Sequence, residues 1–230
     1  MSLFEAAKGA LEEKEYRKAV SWANCFAMKE GVRLSSAERN LFLEVYDARL
    51  QHETGILDTI TKSDNGEAHE EQIKEIVKVY RMVLQVLDDF LIDDAKSVEE
   101  LVFYWKMDGD YHWDMSKFLN DGSKDKKSAL ANCKQSYEAA MRWTEEKTQW
   151  FPGKEEVKLG RHDPIRLQLA CRFSNYCFCE LQDSERAIEI ATTAIDEFER
   201  EEQPNLPESA AAENAKNLEL LRDLISTWRE

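Results

Sequence analysis

The residues of this chain that could carry out chemistry are scattered and form no catalytic motif. Four histidines lie in separate segments, at His52, His69, His112 and His162. Placement on helix surfaces explains them more simply than shared ligation of a metal ion. The sequence contains no glycine-rich phosphate loop, nucleophile elbow, HExxH pair or calcium-binding loop. We therefore expect no enzyme activity, no metal and no cofactor.

Aspartates and cysteines are the other candidates for chemistry. Asp108 and Asp110 flank a glycine, and paired aspartates occur at 88–89 and 93–94. Charge runs of this kind usually form solvated faces or ends of helices. The cysteines are odd in number and lack the spacing of metal ligands, so we interpret them as reduced thiols that fill small buried spaces. They are Cys25, Cys133, Cys171, Cys177 and Cys179.

The formal net charge of −15 limits the kinds of partner that the chain can attract. Nucleic acids and anionic membranes are disfavoured because their phosphates repel an acidic protein, whereas basic or locally cationic partners fit better. No apolar stretch approaches the roughly 20 residues that span a bilayer. The N-terminus also lacks the pattern of a signal peptide. We therefore expect a cytoplasmic protein.

The elements that must position these side chains are predicted to be helices. The composition is 43% hydrophobic and 33% charged, with only four prolines and eight glycines, which favours long helices over short strands. Apolar residues recur at helical spacing and predict about nine helices in one domain, 1–230. Three helix starts are indicated by Ser35 with Glu38, Ser97 with Glu100, and Asp163 before Pro164.

Two long helical segments, 36–62 and 67–91, are expected to pair antiparallel through a turn at Asp64–Gly66. Series of such pairs build layered helical arrays. Tetratricopeptide proteins are one example, but the chain shows no sustained repeat of about 34 residues. A tetratricopeptide-like interaction module is therefore kept only as an alternative.

One segment, Val102–Tyr111, has the sequence VFYWKMDGDY and resembles the 14-3-3 signature VFYxKMxGDY. Three further segments agree with that family in order and spacing: Arg39–Leu41 with Tyr46, Pro164–Leu167 followed by Phe173 and Ser174, and Leu220–Asp223 with Trp228. The resemblance implies an all-α fold of nine antiparallel helices that forms a concave, amphipathic groove. It also implies a dimeric, non-enzymatic adaptor whose groove binds extended peptides bearing phosphoserine or phosphothreonine.

The family's phosphate ligands are largely substituted in this chain. A Lys and an Arg on the third helix and an Arg–Tyr pair on the fifth hold the phosphate in the family, through charge-assisted contacts. The matching positions here hold Asp47, Thr54, Trp113 and Asp114, while the signature residues Lys106 and Asp110 are retained. We expect much weaker affinity for standard phosphopeptides. Lys106 either faces the groove or is a solvated helix lysine, and Trp113 is expected to pack rather than to contact ligand.

The rest of the predicted groove is also altered. The Asn residues that hold the ligand backbone in the family match Arg172 and Leu224. Arg172 is either a new cation in the groove or a surface arginine. The apolar wall keeps Leu220 and Trp228, either of which could instead be ordinary core, but other wall positions are smaller or more polar: Cys171, Asn175 and Thr227.

The predicted dimer interface departs from the family in the same way. Family dimers form where the first two helices pack against the partner's third and fourth. Phe4, with Ala7 and Ala10, gives the short first helix an apolar face that it cannot bury alone. One family ion pair becomes Lys18 with Glu71, its signs exchanged, and the other becomes Glu15 with Glu75, a like-charge contact unless Lys14 intervenes. The turn at Asp64–Gly66 is shorter and the connection 150–163 longer than in the family. We expect a homodimer with an altered interface.

Two hypotheses on ligands stay open at this stage. The first is an adaptor that still binds phosphorylated segments through a modified site built on Lys106 and Arg172. The second is a scaffold for unphosphorylated or basic peptides, because Asp47, Asp110 and Asp114 would line a site that the family keeps cationic.

Overall fold

The computed structural model describes residues 2–29, 34–62, 66–145, 159–200 and 206–229. These residues contain nine α-helices and no β-strand, which confirms the all-α prediction. The helices are α1 (Leu3–Glu12), α2 (Tyr16–Ala27), α3 (Ser36–Thr61), α4 (Gly66–Val86), α5 (Val98–Ser116), α6 (Lys124–Glu145), α7 (Pro164–Cys179), α8 (Ser184–Glu199) and α9 (Glu208–Trp228). The predicted turn at 64–66 and the connection 150–163 lie partly outside the described residues.

The three predicted helix starts are confirmed by hydrogen bonds. Ser35 and Glu38 form a reciprocal capping box before α3, because each side chain accepts from the other's backbone N–H. Ser97 accepts from the Glu100 backbone, and the Glu100 carboxylate accepts from the backbone of Lys96. Asp163 caps α7 through the Ile165 N–H, with proline at the first helical position.

The end of α4 differs from the regular helix that the sequence predicts through residue 91. Residues Leu87–Ile92 continue α4 as a π-helix. A π-helix is wider than an α-helix, so residues four and five positions apart share one face. Leu87, Leu91 and Ile92 are all buried.

Contacts divide the chain into two compact units. The first comprises Met1–Ala95 with Asp114–Ala129, and the second comprises Lys96–Trp113 with Leu130–Glu230. Helices α5 and α6 therefore contribute residues to both units. No helix of the described residues is both long and apolar enough to cross a membrane.

The first unit buries small residues where α1 packs on α2. Ala7, Ala10, Ala19 and Ala23 are all buried within the chain, which lets the two helices approach closely. The predicted apolar face of α1, formed by Phe4, Ala7 and Ala10, is thus partly covered within the chain. Of these three residues only Phe4 is partly exposed.

An ion network joins α3 to α4 in the same unit. The Arg49 guanidinium lies 2.6 Å from the Glu53 carboxylate and 2.9 Å from that of Glu75, and the first two side chains are almost completely buried. Gln72 donates to Glu53 at 2.5 Å. Buried charges are tolerated only when paired in this way.

The second unit is organised around Tyr137 of α6, which is fully buried. Its ring packs against Phe173 and Tyr176 of α7, with centroids 5.5 and 6.0 Å away. On α5 it faces Gly109, where an added Cβ would lie 2.7 Å from two ring carbons. Only glycine therefore fits between α5 and the Tyr137 ring.

We expect Gly109→Ala to destabilise the protein by about 1 to 3 kcal/mol, since the extra methyl group overpacks a rigid aromatic ring. The matched control is Gly55→Ala in α3, where an added Cβ meets nothing within 4 Å. That change is expected to be neutral or to stabilise by up to about 1 kcal/mol, because alanine favours helix. Urea unfolding of both variants measures the difference, and equal stabilities would refute the packing argument.

Candidate functional site

The Asp110 carboxylate is the centre of a polar cluster in the second unit. Lys106, one helical turn earlier on α5, places its Nζ 2.7 Å from Asp110 Oδ2. The Tyr137 hydroxyl of α6 donates to Oδ1 at 2.6 Å, and Arg172 Nε of α7 donates to the same oxygen at 2.7 Å. Three helices therefore meet on one carboxylate. We call these four residues the Asp110 cluster.

The cluster keeps Asp110 ionised. Burial alone would raise the pKa of Asp110, but Lys106 and Arg172, together with the hydrogen bonds from Lys106 and Tyr137, outweigh burial and lower it. The pKa of Tyr137 is raised well above its usual value by burial and by the nearby Asp110 charge. The tyrosine is thus a fixed hydrogen-bond donor, and the aspartate is a fixed anion.

Trp113 supports the cluster from the core. Its ring is buried and lies beneath the Arg172 guanidinium, which is 4.9 Å from the ring centroid. The indole Nε1 donates to Glu180 at 2.8 Å, and the ring meets Tyr176 edge to face. Trp113 therefore positions Arg172 rather than offering surface to a ligand. Arg172 is the most accessible member of the cluster, with about a third of its side chain exposed, 34%.

The predicted wall residues of α7 and α9 differ in accessibility. Leu220 is exposed, at 43% of its surface, and can contact a ligand. Trp228 is buried and stacks on Phe178, with centroids 5.2 Å apart. Asn175 is half-buried and accepts a hydrogen bond from the Cys179 thiol at 3.4 Å.

The other predicted site residues belong to the first unit. Asp47 is exposed on α3, and the Thr54 hydroxyl donates back to the Leu50 carbonyl at 2.8 Å. Asp114 binds Lys117 at 2.6 Å. None of these three side chains is a cation that could replace the family's phosphate ligands.

The predicted dimer residues are also engaged within the chain. Lys18 binds Glu15 at 2.6 Å, and Glu71 binds Lys74 at the same distance. Glu75 is bound by Arg49 of α3, as described above. The predicted pairing of these residues across a dimer stays a prediction.

Several sequence-based expectations were wrong because an acidic or polar residue is buried rather than solvated. Asp108 is buried and accepts a hydrogen bond from the Ser136 hydroxyl at 2.5 Å, whereas it was expected on a solvated face. His112 and His162 are buried rather than on helix surfaces. His162 Nε2 lies 3.1 Å from the carbonyl oxygen of Phe198.

The cysteine interpretation is correct in part. All five are free, but only Cys133, Cys171 and Cys177 are buried, whereas Cys25 and Cys179 are exposed. Within the described residues, no group of three or more histidine, cysteine or acidic side chains is arranged to hold a metal ion.

Sequence reasoning missed Tyr137 and Glu180. Tyr137 donates a hydrogen bond to Asp110, and Glu180 accepts one from Trp113. Tyr137 lies on α6, far along the chain from the signature segment, and nothing in its neighbourhood distinguishes it from an ordinary core tyrosine. The one available signal was Gly109 in the middle of a predicted helix, because such a glycine usually reflects close packing.

These features define an all-helical protein whose described polar centre is built from ion pairs. Comparison with known proteins agrees with that class. The model of the 14-3-3 protein family matches residues 7–229. The chain belongs to the 14-3-3 family, whose members are non-enzymatic adaptors, and this confirms the resemblance drawn from the signature segment.

Individual relatives show how far the chain has diverged. It is 29% identical to 14-3-3 protein 7 of Solanum lycopersicum over 237 residues, which cover 96% of this chain and 88% of the relative. It is 30% identical to 14-3-3 protein beta/alpha of Gallus gallus over 212 residues, covering 87% and 81%. A 14-3-3-like protein of Chlamydomonas reinhardtii is 31% identical over 209 residues, covering 85% and 75%.

The buried His112 predicts a pH dependence of stability. Burial lowers its pKa to about 4, and its Nε2 is 3.8 Å from Asp108. In the unfolded chain a histidine has a pKa of about 6.5, so the unfolded state binds the proton first as the pH falls. The contribution of His112 should therefore lower the free energy of unfolding by about 3 kcal/mol between pH 6.5 and pH 4.

Denaturant unfolding at several pH values compares the wild type with His112→Gln, which cannot gain that proton. The wild type is expected to lose stability more steeply than the variant over this pH range. Parallel pH profiles would contradict the assignment to His112.

Proposed function

We propose that this chain is an adaptor that binds extended segments of partner proteins, with a reduced preference for phosphorylated ones, and that it acts as a cytoplasmic homodimer. Family membership supports the adaptor role and the groove. The Asp110 cluster and the substitutions at the family's phosphate ligands support the reduced preference. The proposed partners are phosphorylated or basic peptide segments of client proteins.

The single observation that carries this proposal is that Lys106 and Arg172 both bind the Asp110 carboxylate. A phosphate that enters the site has to share these two cations with a resident anion. Hydrogen bonds to charged groups contribute roughly 1.5 to 3 kcal/mol each. Losing two of the family's ligands would therefore cost about 3 to 6 kcal/mol, or about two to four decades in affinity.

A second candidate is a scaffold whose recognition does not depend on phosphate. Asp47 is exposed where the family has a phosphate-binding lysine, so it offers a carboxylate that attracts basic side chains and repels phosphate. On this account basic unphosphorylated peptides would bind as well as, or better than, their phosphorylated twins.

Calorimetric titration of one phosphoserine peptide and its unphosphorylated twin tests the proposal. We expect wild-type dissociation constants for the phosphopeptide above one micromolar, about two to four decades weaker than an intact four-ligand site would give. Lys106→Glu should weaken the binding of the phosphopeptide by about tenfold or more. The affinity of the unphosphorylated twin should be nearly unchanged. Lys127→Glu, at an exposed position on α6, controls for the change in net charge.

Three results would count against parts of this account. Submicromolar binding of the phosphopeptide to the wild type would refute the weakening. Phosphopeptide binding that is unchanged in Lys106→Glu would refute the role of that lysine. Tighter binding of the unphosphorylated twin would favour the second candidate.

A further inference from the structure

A cavity of about 210 Å³ lies in the second unit between α6, α7 and α8. We call it the α6–α8 cavity. Its lining comes from the end of α6 and from the facing parts of α7 and α8, and it includes no member of the Asp110 cluster. Protein interiors contain few voids larger than a water molecule, so a cavity of this size is a candidate binding site.

The floor of the α6–α8 cavity is apolar. Leu167 and Ala170 lie one helical turn apart on α7, and both are buried. Ile190 and Ala194 lie one turn apart on α8, and Met141 of α6 completes the floor. Each alanine contributes only a methyl group, which leaves space between the helices. The floor is therefore suited to a hydrocarbon group, whose removal from water is favourable.

An ion pair also lines the cavity. The Arg166 guanidinium lies 2.7 Å from the Glu197 carboxylate, and it donates to the Thr144 carbonyl at 2.7 Å. The arginine side chain is only 11% exposed. Because the guanidinium is already neutralised and hydrogen-bonded within the chain, it offers little attraction to an anionic ligand.

The charge of the exposed edge is negative. Glu145 at the end of α6 and Glu189 on α8 are exposed, and no ion pair engages either of them among the described residues. With Glu197 they oppose three carboxylates to the two guanidinium groups of Arg161 and Arg166, so one negative charge is in excess. The edge of the cavity therefore attracts a cation and repels an anion.

We propose that the α6–α8 cavity binds a small organic ammonium ion with an apolar tail. The ammonium group lies at the exposed edge between Glu145 and Glu189, where it keeps part of its water, and the tail packs on the apolar floor. Lysine side chains divide in the same way, with a buried hydrocarbon stem and a hydrated charged end. The cavity is smaller than the roughly 300 to 1,000 Å³ of sites for drug-sized molecules, so the ligand has roughly ten non-hydrogen atoms.

Other classes of ligand fit this lining less well. A metal ion needs several coordinating side chains, and within the described residues no group of three or more histidine, cysteine or acidic side chains is arranged to hold one. An anion meets the excess negative charge. An uncharged apolar molecule gains the contacts of the floor but forms no ion pair with the two carboxylates at the edge.

Calorimetric titration of the full chain with 4-phenylbutylamine tests this proposal. This probe joins an aromatic ring to an ammonium group through a flexible hydrocarbon chain. We expect one site per chain with a dissociation constant of about 0.1 to 1 mM, which is typical of a ligand of this size. The uncharged 4-phenylbutanol and the anionic 5-phenylpentanoate should each bind at least about tenfold more weakly, because neither forms the ion pairs.

Two changes to the chain separate the contribution of charge from that of the floor. Glu145→Gln with Glu189→Gln should weaken binding of the amine about tenfold and leave that of the alcohol unchanged. The matched control, Glu185→Gln with Glu219→Gln, removes two exposed carboxylates outside the cavity and should bind the amine like the wild type. Ala194→Leu fills part of the floor and should weaken both the amine and the alcohol.

Thermal unfolding followed by circular dichroism confirms that each variant is folded. If Ala194→Leu does not fold, Thr193→Met narrows the same cavity from an exposed position and is expected to have the same effect. Failure of the amine to saturate the wild type below about 10 mM would overturn the proposal. Equal affinity of the amine for the wild type and for the variant lacking Glu145 and Glu189 would also overturn it.

The outcome is distinguishable from a failure of the proposed peptide binding. Arg172→Gln alters the Asp110 cluster and should leave the affinity of the amine unchanged. A changed affinity in that variant would place the amine at the Asp110 cluster and would overturn the proposal. Peptide affinity is measured separately, and its absence would not alter the result expected for the amine.

Discussion

The second unit depends on one partly buried anion, the Asp110 carboxylate, with 20% of its side-chain surface exposed. A carboxylate loses much of its hydration on burial and is tolerated only if donors replace the lost water. Here a lysine from its own helix, a tyrosine from α6 and an arginine from α7 supply those donors. Removing the carboxylate would leave Lys106, Tyr137 and Arg172 without their shared acceptor, so the anion constrains three helices at once. Close packing of Gly109 on the Tyr137 ring brings α5 and α6 near enough for this arrangement.

This constraint links folding to recognition. The cations that an anionic ligand would contact, Lys106 and Arg172, also neutralise Asp110. Ligand affinity and local stability therefore depend on the same side chains. Arg172 is held from two sides, by the carboxylate and by the ring of Trp113. The first unit follows the same principle, since Arg49 is almost completely buried between two glutamates. Internal pairing of cations is a consistent feature of this acidic chain.

The sequence was sufficient for the class of fold and for the family. Helical periodicity, the capping box at Ser35 and proline at the start of α7 are local signals, and local signals decide where helices begin. The π-helical turn at Leu87–Ile92 was not predicted, because it is a change of hydrogen-bonding pattern within a helix rather than a helix start.

The candidate site was less predictable for a related reason. Lys106 and Asp110 were recognised because they lie four residues apart within one motif. Tyr137 and Glu180 were missed because tertiary packing alone brings them to α5. Asp108 was expected in solvent because aspartate usually lies there, yet a hydroxyl from α6 stabilises it in the core. Whether a charged residue is exposed is decided by partners that are distant in the chain.

The claim that Asp110 holds α7 through Arg172 is tested most directly by a double-mutant cycle on stability. The free energy of unfolding is measured for the wild type, Asp110→Asn, Arg172→Gln and the double variant, all at neutral pH. Residues that contact within one ion-pair network show coupling energies of about 0.5 to 3 kcal/mol. We predict a favourable coupling of about 1 kcal/mol or more between these two positions. Additive effects, with a coupling below about 0.3 kcal/mol, would contradict the account.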